Sequence, residues 1–387
     1  MTLLSYLTLL LSMAGNGVQS SDEILTGLAK SPTFDGGGRT FRGDLLLENR
    51  RGLTLRNLTL DGRLRADQAH ELRLERVRFV GQGVQVFLVR SDGVTILDCE
   101  FRDIDEHGVG AAASNQLRIV NSVFRGKSQA KELVAIHPGI PAFFSDQVRR
   151  EPDIRWKGLT TTASAIVGQI AEFRVVEADG SEYLRVPTLS NRRGDTGRDL
   201  RKNRWLVNWG EGTVDVPCVE DRQKEGYSLL KLPSKLKRGT RVAWWTDAPE
   251  RYVRDVTLIG NKFYGAPSKL SGVSLYFVDG FRLSGNVAEG FGDYGLGVEF
   301  GRNGRVDGNT VLRSNPSGQI VLAGLMERVA TAENNVPVIL QTWGNPVRDI
   351  ESSDEVKVWD WYPGHRPVYW IERVSVGGSL IRKPFGG

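Results

Sequence analysis

Hydrophobic and polar positions alternate along most of this chain in short runs that repeat. Three windows align without a gap, at residues 107–122, 271–286 and 294–309, and the last two are offset by 23 residues. Each window holds two alternating runs separated by a turn. Since successive side chains of a strand point to opposite faces, the period of two predicts strands. A repeat of this length predicts a stacked fold in which each copy covers its neighbour.

The same alternation assigns an inner and an outer side to each strand. The apolar positions match between two windows and are expected to point inward: Val273, Leu275, Phe277, Leu296, Val298 and Phe300. The positions between them are expected to point outward: Ser274, Tyr276, Gly297 and Glu299.

Asparagines recur at equivalent turns of the repeat. Asn261, Asn286, Asn309 and Asn334 follow one another at intervals of 25, 23 and 25 residues. Asparagines stacked at one turn can hydrogen-bond to each other, as in the side-chain ladders of stacked sheets. The consensus of leucine-rich repeats is absent and no helical segment separates the strands, so the pattern predicts a parallel β-helix.

This repeat resembles the pectin-lyase-like superfamily of right-handed parallel β-helices over residues 34–126 and 251–336. The resemblance implies an all-β fold with three strands and about 23 residues per coil. It also implies that the asparagine ladder lies between the second and third strands, and that the outer face of the first strands forms a substrate cleft. No catalytic motif of a particular family accompanies it.

The breaks in the repeat predict five segments. They are a signal peptide (1–20), N-terminal coils (21–126), an inserted β-barrel or β-sandwich (127–250), C-terminal coils (251–336) and an aromatic-rich cap (337–387). The apolar stretch 2–14 is too short to span a bilayer and precedes small residues, which predicts a secreted or periplasmic protein. A hydrophobic N-terminal cap is the alternative. The insertion is expected to leave the helix before a first strand and to overhang the cleft, or else to have no role there.

Composition narrows the function only slightly. The 45 glycines, 9% aromatic residues and 25% charged residues are typical of a folded chain, and the net charge of +5 weakly favours anionic partners without indicating nucleic acid. Cys99 and Cys218 lack metal-ligand spacing, so we expect free thiols, with one disulfide as the alternative. No segment other than the N-terminus is apolar enough to insert into a membrane.

A row of arginines occupies outward positions of the second strands: Arg73, Arg118, Arg282 and Arg305. Charged side chains at strand surfaces favour solubility and protect edges. We expect that role for the row, with a stripe for an anionic polymer as the alternative.

Glu299 is the outward residue that most resembles a catalytic group. It lies in the middle of a first strand, with Tyr276 expected one coil before it and Leu322 one coil after it. Larger neighbours desolvate a carboxylate and raise its pKa, as a general acid requires. Asp293, in the loop that enters the same strand, would supply the second carboxylate that glycosidases use.

A lyase would instead need a base for a sugar proton and a cation to neutralise a uronate. His107, Tyr276 and Arg302 are the candidates, and Glu106 enters the equivalent strand of an earlier coil. Phe87 and Asp279 are further candidates for substrate contacts. The acidic run Asp103, Asp105 and Glu106 would bind Ca²⁺ only in the lyase case, and no other cofactor or metal site is expected.

These observations favour a secreted protein that cleaves a polysaccharide, neutral or anionic, by hydrolysis or by elimination. The alternative is a non-catalytic glycan-binding or tailspike-like surface protein, because the fold does not dictate function.

Overall fold

The protein is described by a computed structural model. It covers residues 18–138, 252–266, 271–312, 319–341, 346–358 and 370–380, together with seven strands between residues 174 and 245. Strands dominate the described chain, and one short helix lies between the first two of them.

The elements follow one another in this order: β1 (Gln19–Ser20), α1 (Asp22–Lys30), β2 (Thr33–Asp35), β3 (Thr40–Arg42), β4 (Leu45–Glu48), β5 (Thr54–Asp61), β6 (Leu64–Asp67), β7 (Arg73–Phe79), β8 (Val84–Val89), β9 (Thr95–Leu97), β10 (Glu100–Ile104), β11 (His107–Ala112), β12 (Arg118–Val120), β13 (Val123–Gly126), β14 (Glu132–His137), β15 (Arg174–Ala178), β16 (Ser181–Pro187), β17 (Arg204–Asn208), β18 (Thr213–Pro217), β19 (Glu220–Lys224), β20 (Tyr227–Lys231), β21 (Arg241–Trp245), β22 (Val253–Ile259), β23 (Lys262–Tyr264), β24 (Ser271–Ser284), β25 (Val287–Glu289), β26 (Leu296–Asp307), β27 (Thr310–Leu312), β28 (Ile320–Ala332), β29 (Val338–Gln341), β30 (Pro346–Ser352), β31 (Val356–Val358), β32 (Trp370–Val376) and β33 (Ser379–Leu380).

Parallel pairing between successive coils confirms the predicted β-helix, with three faces per coil. The first face consists of β4, β6, β8, β11, β14, the starts of β24, β26 and β28, then β29 and β31. The second face includes β9, β12 and β22 and continues into the ends of β24, β26 and β28. The third face includes β10, β13, β23, β25 and β27.

Aligned inward side chains fill the interior. On the third face four phenylalanines stack from coil to coil, with ring centroids 4.9, 4.4 and 5.0 Å apart along Phe79, Phe101, Phe124 and Phe263. Stacked rings at this spacing contribute beyond the area that they bury. Cys99 is a buried free thiol, and burial raises its pKa to about 12. Cys218 lies outside the described residues.

The asparagine ladder is confirmed in detail. Asn286 Nδ2 donates to Leu258 O at 2.9 Å and to Asn309 Oδ1 at 3.0 Å, and Asn286 Oδ1 accepts from both nitrogens of Asn261 at 3.0 Å. The same arrangement joins Asn309 to Asn334. Each buried amide therefore satisfies backbone groups of the preceding coil and binds the asparagine of the following coil.

Two of the predicted core residues occupy a different place from the other four. Val273, Leu275, Leu296 and Val298 belong to the interior cluster, as expected. Phe277 and Phe300 are equally buried, at 1% exposure, but they lie at the corner after the first face with φ of 50° and 60°. There they stack on each other, with centroids 4.4 Å apart. A left-handed residue interrupts the alternation of a strand, so the period of two does not extend to this corner.

The boundary expected at residue 126 also differs from the structure. β14 pairs with β11 and β24, so it is a first-face strand of the helix. The chain therefore departs after a first strand, and not before one, and it re-enters the stack with β22. The strands between form two antiparallel sheets, β15-β16-β20-β19 and β18-β17-β21.

The two ends of the stack differ from the sequence-based segments too. Parallel pairing continues through β29, β30, β31 and β32, so much of the segment expected as a cap consists of further coils. At the other end α1 buries Ile24, and Leu28 packs against the core. β1 pairs with β3, so cleavage after Ser20 would remove this first strand. No helix in the described part of the chain is long and apolar enough to cross a membrane.

The ladder generates a stability prediction. Asn286→Ala removes the partner of buried groups in two neighbouring coils, and we expect a loss of about 2 kcal/mol or more, because unsatisfied buried polar groups cost that much. Urea unfolding measures the loss. Lys262→Ala, at an exposed position of the adjoining β23, is the control and should change the midpoint little. Equal midpoints for the two variants would contradict a supporting role for the ladder.

Candidate active site

Acidic and tyrosine side chains lie along the first face, where β14, β24 and β26 are next to one another. Glu132 pairs with Ser271 at the start of β24, and Tyr276, further along β24, pairs with Glu299 of β26. Tyr294 and Asp293 come from the loop that enters β26. We call Glu132, Tyr276, Asp293, Tyr294 and Glu299 the acidic cluster.

The ring of Tyr294 lies directly on the backbone of Gly297. A Cβ at Gly297 would lie 2.2 Å from Cε2 of that ring, so no other residue fits there without moving Tyr294. The tyrosine ring also packs against an outward apolar patch of the following coils, formed by Val321, Ala323 and Ile339. The ring is thus fixed on two sides, and its hydroxyl is directed along the first face.

That hydroxyl connects the two neighbouring coils. Tyr294 Oη lies 3.0 Å from Ser274 Oγ and donates to Glu299 Oε1 at 3.3 Å. Burial raises the pKa of Tyr294 and of Tyr276 well above the usual value, so both hydroxyls keep their protons at neutral pH. The ring of His137, one coil earlier, lies 5.1 Å from that of Tyr276.

Glu299 is half-buried and protonated at neutral pH. Desolvation raises its pKa to about 8, against the hydrogen bond from Tyr294, while the charges of Glu132 and Asp293 add to the increase. Burial likewise raises the pKa of Glu132 to about 7, and raises that of Asp293, whose Oδ2 accepts from Ser271 Oγ at 3.2 Å. Asp293 is the most exposed of the three carboxyls.

His107 lies behind this cluster and not in it. Its side chain is fully buried, with Nδ1 2.9 Å from Glu132 O and 3.4 Å from Glu132 Oε2. Burial lowers the pKa of His107 to about 3, so the ring is neutral and donates to that carbonyl. It orients β14 and does not reach a substrate directly.

Glu106 lines a neighbouring groove of about 700 Å³ together with Asp44, Arg63, Gln82, Asp105 and Lys131. The Lys131 ammonium lies 3.2 Å from Glu106 Oε1, and Asp105 Oδ1 accepts from the Gly83 amide at 2.7 Å. Two members of the acidic run considered for Ca²⁺, Asp105 and Glu106, are therefore engaged with the protein's own groups.

The remaining candidates are not brought into the acidic cluster. Arg302 pairs with Asp279 at 2.8 Å beyond the corner of the first face, and its guanidinium lies 4.4 Å from the ring centroid of Tyr252. Phe87 is buried on the first face three coils before Ser274, at about 14 Å for a strand spacing of about 4.8 Å.

Two features of the cluster were not identified from the sequence. Glu132 lay in the segment assigned to the insertion, although the alternation of residues 132–137 could have revealed a strand. Tyr294 lay in a loop, where alternation gives no direction. The expected neighbour Leu322 is also wrong: Glu299 pairs with Ala323, because this repeat is one residue longer and Leu322 pairs with Val298.

Comparison with known proteins gives no information about the site. No protein-family model and no curated protein sequence matches the chain. Among solved structures, a surface adhesin of Streptococcus pneumoniae, PfbA, is 11% identical with a TM-score of 0.42, covering 94% of this chain and 80% of its own. The A-module of a mannuronan C-5 epimerase from Azotobacter vinelandii is 9% identical with a TM-score of 0.33, covering 90% and 77%. A periplasmic alginate epimerase is 7% identical with a TM-score of 0.24, covering 89% and 76%.

The raised pKa of Glu299 predicts a specific pH dependence of stability. Because its pKa is about 8 in the folded state, against 4.5 for an ordinary glutamate, the folded state holds the proton more tightly. That contribution is complete below about pH 4.5 and is lost as the pH rises through about 8. Glu299→Gln removes it, so wild-type stability should fall relative to the variant between about pH 5 and about pH 8.

The measurement is urea unfolding of both proteins across this range. Glu351→Gln, an exposed position on the second face, should keep the wild-type profile. Parallel profiles for wild type and Glu299→Gln would show that Glu299 ionises as it does in water.

Proposed function

We propose that the protein hydrolyses a polysaccharide at the acidic cluster, with Glu299 as the general acid. The observation that carries the proposal is a carboxyl group that stays protonated at neutral pH on the outer side of a β-helix. Its position is fixed by the Tyr294 hydroxyl at 3.3 Å. A general acid near pH 7 requires such a raised pKa.

The roles within the cluster follow from exposure. Glu299 gives its proton to the glycosidic oxygen as the bond to the anomeric carbon breaks. Asp293, the most exposed carboxyl, accepts a proton from the water that attacks this carbon, or attacks the carbon itself. Tyr276, beside Glu299 in the neighbouring coil, presents a ring against which the apolar face of a sugar can pack.

Hydrolysis accounts for the charges better than elimination does. A lyase acting on a uronate needs a cation that neutralises the sugar carboxylate, and the acidic cluster consists of carboxyl and tyrosine groups without a basic side chain. The nearest candidate cations are Lys131 and Arg302, and both are engaged with acidic partners. His107 has a pKa of about 3 and is fully buried, so it is a weak and inaccessible base.

Non-catalytic glycan binding is the second candidate. It is supported by the burial of outward positions on the first face, because Ala135 and Ser274 are fully buried and cannot contact a ligand. A ligand on the first face would therefore contact only the rim of the acidic cluster. For either function we place the protein outside the cytoplasm, because the apolar N-terminal stretch predicts secretion or a periplasmic location.

Glu299→Gln tests the catalytic role. A screen of neutral and acidic polysaccharides, read by reducing-end release and by the absorbance of unsaturated products, identifies the substrate and separates hydrolysis from elimination. With that substrate, Glu299→Gln should lower turnover by about 10²–10⁴-fold while binding persists, the usual worth of acid–base catalysis.

Glu351→Gln serves as the matched control, because it removes one carboxylate from another face and should leave turnover unchanged. Unchanged turnover in Glu299→Gln would exclude this residue as the acid. Binding without any product from the whole panel would instead favour the second candidate.

A further inference from the structure

The outward side of the second face carries four basic side chains in one row. In register from coil to coil the row is Arg73, Thr95, Arg118, Thr257, Arg282 and Arg305. With a coil spacing of about 4.8 Å, Arg73, Arg118 and Arg282 are each about 10 Å apart along the axis. The four arginines are exposed, and Arg282 and Arg305 have side-chain exposures of 51% and 61%.

An apolar column runs beside the central part of this row. Leu97, Val120 and Ile259 pair with one another in three successive coils and are all half-buried on the outward side. Outward apolar residues in register are unusual on a face that otherwise carries charges. Pyranose rings have apolar faces and polar edges, so a column of this kind beside basic groups suits a sugar chain.

Acidic residues interrupt the column only at its two ends. Glu75 precedes Leu97 in register and pairs with Arg73 at 3.1 Å, and Asp307 follows Ser284 and pairs with Arg305 at 3.2 Å. Between these ends, Arg118 forms no ion pair with another described residue. Arg282 approaches Asp307 only to 4.0 Å. The central arginines are therefore the ones available to an anion.

We propose that this second-face stripe, Arg73, Arg118, Arg282 and Arg305 with the Leu97–Val120–Ile259 column, binds an anionic polysaccharide extended along the helix axis. The central arginines, Arg118 and Arg282, pair with its carboxylate or sulfate groups, Arg73 and Arg305 add positive charge beside them, and the apolar column contacts its ring faces. The stripe is separate from the acidic cluster, which lies on the first face. Polymer anchoring is thus assigned to the second face and the proposed hydrolysis to the first, and neither proposal depends on the other.

The arrangement of the arginines in one line along the helix axis favours a linear polymer over a compact anion. A single phosphate or carboxylate would need convergent donors, whereas these arginines are spread over several coils on a flat surface. Duplex nucleic acid would use the arginines but would gain nothing from the apolar column, because its phosphates face the protein.

Binding of the full chain to four probes tests the stripe: polygalacturonate, heparin, dextran and a duplex DNA. The variant is Arg118→Gln/Arg282→Gln/Arg305→Gln. The matched control is Arg42→Gln/Arg78→Gln/Arg102→Gln, which removes the same charge from exposed ion pairs of the third face. Equal urea midpoints establish that both variants are folded.

We expect wild type to bind polygalacturonate or heparin, more weakly as salt increases, and not to bind dextran. The stripe variant should lose about tenfold or more in affinity, and the control about twofold or less. Tighter binding of polygalacturonate than of heparin would assign carboxylates as the groups bound. Tighter binding of heparin would assign sulfates. Ile259→Asp should weaken polysaccharide binding with all arginines in place.

Equal losses in the two triple variants would overturn the proposal, since binding would then follow net charge alone. Absence of binding to both acidic polysaccharides would overturn it as well. Duplex DNA bound as tightly, and insensitive to Ile259→Asp, would replace the polysaccharide with nucleic acid. Turnover at the acidic cluster is measured in a separate experiment. Failure of the stripe proposal can therefore be told apart from failure of the proposed hydrolysis.

Discussion

Register between successive coils is the constraint on which the rest of this structure depends. Each strand pairs with its equivalents in the coils before and after it, so every side chain faces a neighbour at about 4.8 Å. A slip of one residue would exchange the inner and outer side chains of a whole strand. The asparagine ladder opposes such slips, because each amide binds a backbone carbonyl in one coil and an asparagine in the other. The same turn thus stabilises the fold and fixes the alignment of residues between successive coils.

Register also determines which charged side chains lie next to one another on the outer surface. At the bend after the first face, Arg254, Asp279, Arg302, Glu327 and Arg348 follow one another in five successive coils. Opposite charges alternate along this column, and Arg302 donates to Asp279 at 2.8 Å. Charges directly opposite each other in adjacent strands stabilise a sheet when they differ in sign. An in-register stack would otherwise place like charges together, so this alternation favours one arrangement of coils.

The parts of the fold that recur were predictable from the sequence, and the parts that occur once were not. Alternation and the asparagine intervals predicted parallel coils, the ladder and the outward position of Glu299, because each rests on many equivalent residues. Phe277 departs from the prediction because a left-handed residue ends the alternation at a corner. β14 was missed because it is a single coil next to the insertion. Tyr294 was missed because its direction depends on contact with Gly297. Tyr294 lies in a loop and Gly297 in the strand that follows, and no periodicity relates the two positions.

The acidic cluster is a product of stacking across the insertion. Val134 pairs with Val273 as neighbouring coils do elsewhere, although more than a hundred residues of chain separate them. The stack therefore continues without interruption, and Glu132 comes beside residues that follow the insertion. Burial on this packed surface disfavours the ionised forms of Glu299 and Glu132, and neighbouring carboxyls add a smaller contribution, so their pKa values are raised to about 8 and about 7. A solvated pair on an ordinary loop would separate and ionise, but backbone pairing on both sides keeps these strands in place. The rigidity of the stack is thus what maintains a protonated carboxyl at the surface, and a general acid needs that property.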